Sequence, residues 1–154
     1  MRALRRKDRS ITQNEAMALL TEAEYGVLST ADVDGKPYGV PLSLCVVDNA
    51  VYFHCAVEGQ KIDHIQQNRW VSLCVVGKTE LLPDKFSTKY ESVVVAGEAA
   101  EVFQSEKQQA LECLVYKYSS GFIEEGKKYI DVLYKKTRVF KISINHISGK
   151  ARRQ

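Results

Sequence analysis

No stretch of this 154-residue chain approaches the run of about eighteen apolar residues that a membrane-spanning helix requires. Nor is the basic start MRALRRKDRS followed by the apolar segment of a secretion signal, so a soluble, cytoplasmic protein without a membrane partner is expected. Cysteine is sparse and scattered. Cys45, Cys55, Cys74 and Cys113 lie 10, 19 and 39 positions apart with no C-x-x-C pair and no paired histidines, which excludes the usual zinc spacings, and no metal site is expected. Internal repeats, low-complexity segments, a P-loop, paired catalytic carboxylates, a nucleophile triad and a dinucleotide-binding glycine fingerprint are all missing. Zinc-finger and RNP-type signatures are missing too, so the basic ends MRALRRKDR and GKARRQ read as solvated tails and no nucleic-acid partner is expected.

What remains is the composition of one ordinary globular domain spanning 1–154, with 45% hydrophobic and 27% charged residues, a formal charge of +3 and basic tails at 1–10 and 145–154. Ile11-Thr12-Gln13-Asn14-Glu15 offers a capping residue, and Ala16, Leu19, Leu20 and Ala23 recur at helical spacing, predicting a helix over 14–24. Strands are expected at 25–30 and 38–47, joined through Asp34-Gly35, and at 50–56 after an Asp48-Asn49 turn. A two-turn helix over 61–68 and a strand over 70–76 follow, and 77–89 reads as a linker. A strand over 90–102 with a bulge or close approach at Gly97, two helices over 105–118 (capped by Ser105) and 123–134, and a closing strand over 139–144 complete the chain. This pattern predicts an α+β, mainly β fold: a six-stranded antiparallel β-barrel with peripheral helices.

The segment VYFHCAVEGQKIDHIQQN, Val51 to Asn68, is the most informative. A strand runs into a glycine turn, and Lys61 then opens a helix whose first N–H groups lack intrahelical acceptors. That order of parts makes an anion cradle for phosphate or carboxylate, although a lysine beside a glycine is also ordinary surface sequence. If Asp48-Asn49 is a two-residue loop, Ser43 stands opposite His54 and Cys45 opposite Tyr52. One face then carries Pro41, Ser43, Cys45, Tyr52, His54 and Ala56, and the other carries Leu42, Leu44, Val46, Val51, Phe53 and Cys55 and forms the core. The mixed first face suits a pocket wall or a subunit interface; equally, it suits a sheet face that meets only water.

RRKDR, YGVLST, GKPYGVPLS, VYFHCAVEGQK, WVSLCVVG, LPDKFSTKYESVVVAGEA and INHISGKARR follow one another, in order and at similar spacing, as in the 5-nitroimidazole-resistance (Nim) proteins. Over 5–152 the chain resembles this family, part of the pyridoxamine 5′-phosphate oxidase-like FMN-binding split barrels. The resemblance implies a split-barrel homodimer that binds FMN at the subunit interface. It places the FMN phosphate on Gly59, Gln60 and Lys61, with Pro41, Leu42, Ser43, His54, Cys55 and Ala56 along the ribityl chain and ring, and it adds Thr88, Tyr90, Glu91, Ser92 and Val93. Members often carry histidine where this chain has Gln60, which leaves His54 as the candidate catalytic, proton-carrying residue; His64 and His146 have no clear role. The implied activity is FMN-dependent reduction of a small electron-poor molecule such as a nitroimidazole, with NAD(P)H or another donor supplying electrons. Rival readings are a flavin store or redox sensor without turnover, pyridoxamine 5′-phosphate oxidation, and haem binding through His54 or His64.

Overall fold

The computed structural model describes residues 1–154. Helix α1, Gln13–Glu22, starts with a capping box: the Thr12 hydroxyl accepts from the Glu15 N–H, and the Glu15 carboxylate accepts from the Thr12 N–H at 2.9 Å. Seven strands follow in one antiparallel sheet: β1 Gly26–Ala31, β2 Pro37–Leu42, β3 Cys45–Val47, β4 Ala50–Cys55, β5 Trp70–Leu82, β6 Ser87–Val102 and β7 Arg138–Arg152. Helix α2, Gln60–Gln67, lies between β4 and β5, while α3, Gln104–Tyr118, and α4, Ile123–Leu133, separate β6 from β7. The sheet order is β2-β1-β5-β6-β7-β4-β3.

The fold class is as expected, mainly β and antiparallel with peripheral helices, but it has seven strands and not six. The continuous strand expected over 38–47 breaks at Ser43-Leu44, and its halves occupy opposite edges of the sheet. The three virtual bonds from Leu42 to Cys45 reach at most about 11 Å, so those edges must meet and the sheet is rolled. The backbone at this seam, unpaired by either neighbour, is satisfied from α3. The Tyr118 hydroxyl accepts from the Leu44 N–H at 3.1 Å and donates to the Glu24 carbonyl at 2.6 Å, and the Lys117 ammonium donates to the Leu44 and Ala23 carbonyls at 2.8 and 2.7 Å. Tyr118→Phe is expected to cost about 1–2 kcal/mol, the range for orphaning partly buried backbone groups. The measurement is a urea melt, where the midpoint should fall with little change in slope; an unmoved midpoint would show that the seam is held by something else.

Two cores result from the alternation along the strands. Inside the barrel, Leu28, Leu44, Val51, Phe53, Leu73, Val93, Val95, Phe140 and Ile142 are sealed together, and the Phe53 and Phe140 rings stack at 5.6 Å. Outside it, Cys45, Tyr52 and Val139 are covered by Ala110, Leu111 and Leu114 of α3 and Ile130 of α4. The Tyr52 hydroxyl donates to Glu106 at 2.8 Å, which ties the first turn of α3 to the barrel.

Asp48 and Asn49 both adopt positive φ, 47° and 60°, in the two-residue turn, and Cys45 pairs with Tyr52 as the sequence predicts. Gly97 sits at a register shift between β6 and β7, and a Cβ there would overlap the Ser143 carbonyl oxygen. Four expectations are corrected. The presumed linker 77–89 is a hairpin arm, in which Thr79 to Leu82 pair with Tyr90 to Ser87. The presumed tail after 144 continues β7 to Arg152, because β6 offers it a paired edge along its whole length. Ser10, at the other presumed tail, bridges to Lys150. Ser105 lies inside the first turn of α3, whose cap position belongs to Phe103 and has no side-chain cap.

Candidate functional site

β4 delivers the chain to α2 through an exposed turn, Ala56 to Glu58. Gly59 then takes φ 152° and ψ 162°, a conformation open essentially to glycine alone, with no atom within 4 Å of where a Cβ would stand. Its carbonyl accepts the N–H groups of Ile62 and Asp63 at 3.0 and 3.1 Å. The N–H groups of Gln60 and Lys61 have no backbone acceptor, and Lys61 forms no ion pair. Two free donors, the positive end of a helix and an uncommitted ammonium therefore share one turn, which is the donor set a phosphate needs. Two acidic residues lie close by in sequence, Glu58 just before Gly59 and Asp63 in the first turn of α2, and both are exposed.

Arg138 braces this turn from the far end of the sequence. Its guanidinium grips Glu101 through two bonds of 2.8 and 2.7 Å and donates to the Val57 carbonyl at 3.2 Å. The hydrogen bonds from Arg138 hold the Glu101 carboxyl below its ordinary range. Neither residue is legible in the sequence as part of the site, because nothing local marks a strand arginine and a strand glutamate as partners.

His54 has no hydrogen-bond partner and more than a third of its surface is open, yet the protein around its ring lowers its pKa, with the charge of Lys61 adding to the effect. The ring is therefore neutral near pH 7. It opens, together with Ser43, into a cavity of about 360 Å³ between the barrel wall and α3 and α4. This resolves the mixed face seen in the sequence: Cys45 and Tyr52 lie under the helices, and Ser43 and His54 remain accessible. His64 is committed elsewhere, its Nδ1 2.9 Å from the Thr30 hydroxyl inside the protein, while His146 stands exposed on β7.

The other candidates divide sharply. Leu42, Cys55 and Val93 turn their side chains toward the barrel core, and burial raises the Cys55 thiol pKa. Ala56, Gly59, Gln60 and Lys61 lie together at the start of α2. Thr88, Tyr90, Glu91 and Ser92 sit at the opposite end of β6, where Tyr90 meets Arg9 and Glu91 accepts from Arg153 at 3.1 Å. Tyr90 and Glu101 are eleven residues apart on that strand, roughly 36 Å of chain. One copy of the chain does not bring these groups together.

Pro41 belongs to a third surface. Strand register aligns Pro41, Val27, Cys74, Val94 and Ser148 in one transverse row, and Gly39, Ser29, Ser72, Ala96 and His146 in the next. All ten residues are at least partly exposed, and most are small.

The family described as pyridoxamine 5′-phosphate oxidase matches residues 12–151. No curated protein matches significantly. Among solved structures, a candidate 5-nitroimidazole antibiotic resistance protein from Bacteroides thetaiotaomicron superposes with a TM-score of 0.72 at 21% identity, covering 92% of this chain and 85% of that one. An FAD-binding protein from Mesorhizobium loti gives 0.68 at 26% identity, covering 94% and 97%. A flavocytochrome from Azotobacter vinelandii gives 0.81 at 20% identity, covering 99% and 73%.

Proposed function

The chain belongs to the pyridoxamine 5′-phosphate oxidase family, and on that premise we propose that it binds a flavin, FMN, and acts as an oxidoreductase on a small electron-poor molecule of the nitroimidazole type. The observation that carries this reading is the turn at Gly59, where two unpaired N–H groups and the unpaired Lys61 ammonium match a phosphate. A neighbour of similar fold that binds FAD supports it.

When bound, the flavin supplies the two-electron chemistry. The chain's own part is positional and electrostatic. Gly59 lets the backbone come close to the phosphate, the Gln60 and Lys61 N–H groups donate to it, and the Lys61 ammonium balances its charge. His54 offers a neutral imidazole beside the ring site, able to accept or donate one proton there. Two copies of the chain complete the site: joined through the face of small residues, they would bring Thr88 to Ser92 of one to the cradle of the other. A cytoplasmic location agrees with four free cysteines.

Absorbance during an FMN titration tests the reading. The expected result is saturable binding of one FMN per chain by a dimer, with bleaching by NADH or NADPH under anaerobic conditions and reoxidation by a nitroimidazole. Tight binding without bleaching by any donor would leave the protein a flavin store or redox sensor. A colourless protein that takes up no FMN would overturn the proposal. A Soret band would instead assign the unpartnered His54 to a haem iron.

A further inference from the structure

The cavity beside His54 differs from the cradle in every chemical respect. In a chain with 27% charged residues, none of its lining residues is Lys, Arg, Asp or Glu. Its walls are aliphatic and aromatic, chiefly Leu114 of α3 and Tyr129, Ile130 and Leu133 of α4. Its shape follows from the packing of the two helices. Gly126 lets α4 close on α3 at Val115, since a Cβ there would lie 2.5 Å from a Val115 methyl. The helices thus fill one another's grooves near their connection and leave the space over Ser43 and His54 open. At the other end, Lys107 donates to the Tyr134 carbonyl at 2.8 Å, so both ends of the helix pair are fastened and the space does not depend on fraying.

Polar side chains interrupt these walls: the Tyr118 and Thr137 hydroxyls are committed to main-chain carbonyls, whereas Ser43, His54, Ser119 and Tyr129 have no side-chain hydrogen bond. Neither Ser43 nor His54 hydrogen-bonds to any other side chain, and the two stand on neighbouring segments of one wall. A hydroxyl and an imidazole in such a place can meet one polar substituent of a guest whose remaining surface is apolar. A charged guest would have to shed its water without an opposite charge to receive it.

We propose that the space enclosed by Ser43, His54, α3 and α4 is a binding site for a small, uncharged aromatic molecule bearing one polar substituent. Its volume of about 360 Å³ admits a substituted single ring with room to spare. Where the flavin reading holds, this places the electron acceptor beside His54; the binding site itself does not require that reading.

The test uses the full-length protein and two probes that differ mainly in charge, 4-nitrobenzyl alcohol and 4-nitrobenzoate, followed by NMR chemical shifts. The alcohol should give saturable shifts confined to the Ser43 segment, β4, α3, α4 and the residues flanking these helices, and the benzoate should bind at least tenfold more weakly. Leu133→Trp, which fills the cavity, should weaken the alcohol more than tenfold, as should His54→Leu, which keeps the fold but removes the polar contact. FMN affinity is measured on the same samples. Loss of alcohol binding in Leu133→Trp with FMN affinity unchanged supports a separate site, and alcohol binding by a protein that takes no FMN would defeat the flavin reading while sustaining this one. Shifts away from the Ser43 segment, β4, α3, α4 and the residues flanking these helices, equal binding of the two probes, or undiminished binding in both variants would overturn the proposal.

Discussion

Lys61→Ala should weaken FMN about 10- to 100-fold while leaving riboflavin, which lacks the phosphate, nearly unaffected. The size of the effect follows from the bond removed: a charge-assisted contact to an anion is worth about 1.5–3 kcal/mol, and each 1.4 kcal/mol is a factor of ten. Lys61 has no carboxylate partner in the protein, so its removal orphans nothing and the fold should be untouched. The Gln60 and Lys61 N–H groups survive the change, which is why binding should weaken and not vanish. Flavin fluorescence quenching at two ionic strengths gives both affinities. Equal losses for FMN and riboflavin, or none for FMN, would remove the phosphate from this turn.

Gly97→Ala should be the most damaging single methyl in the barrel. The added carbon would come within 2.0 Å of the Ser143 carbonyl oxygen, a main-chain atom within the long β6–β7 pairing. A flexible side chain could swing aside; two paired strands cannot move apart without breaking their ladder. A cost of about 3 kcal/mol or more is expected, at the severe end for a point change, seen as lost soluble yield or a large fall in the denaturation midpoint. Wild-type stability in this variant would mean that β6 and β7 do not approach at Gly97.

The features legible in the sequence are those written in contiguous residues. The capping residue before α1, the Asp48-Asn49 turn with its register, and the turn from His54 to Lys61 each need only a handful of neighbours to define them. Gly97 is legible as well, because a glycine inside a strand of branched residues marks a bulge or a close backbone approach. The arm at 79–90 reads as a linker since Lys78-Thr79-Glu80 and Ser87-Thr88-Lys89 show no apolar alternation; its strands exist because they pair with each other, not because they bury a face. The break at Ser43-Leu44 carries no proline or glycine, and barrel closure alone demands it. The apolar stripe of α3 is visible in the sequence, but the surface it lands on is not, so the separation of Cys45 and Tyr52 from Ser43 and His54 emerges only in three dimensions.

Because β7 lies between β6 and β4, no hydrogen-bonded pairing joins the sheet across this gap until residues 138–152 have left the ribosome. Until then β4 and β6 each present a bare hydrogen-bonding edge, and the inward rings of Phe53 and its neighbours lack their lid. The nascent chain is thus committed to a late, long-range closing step, of the kind that folds slowly and leaves aggregation-prone edges exposed meanwhile. How long those edges stay bare is set by the position of one strand in the sheet.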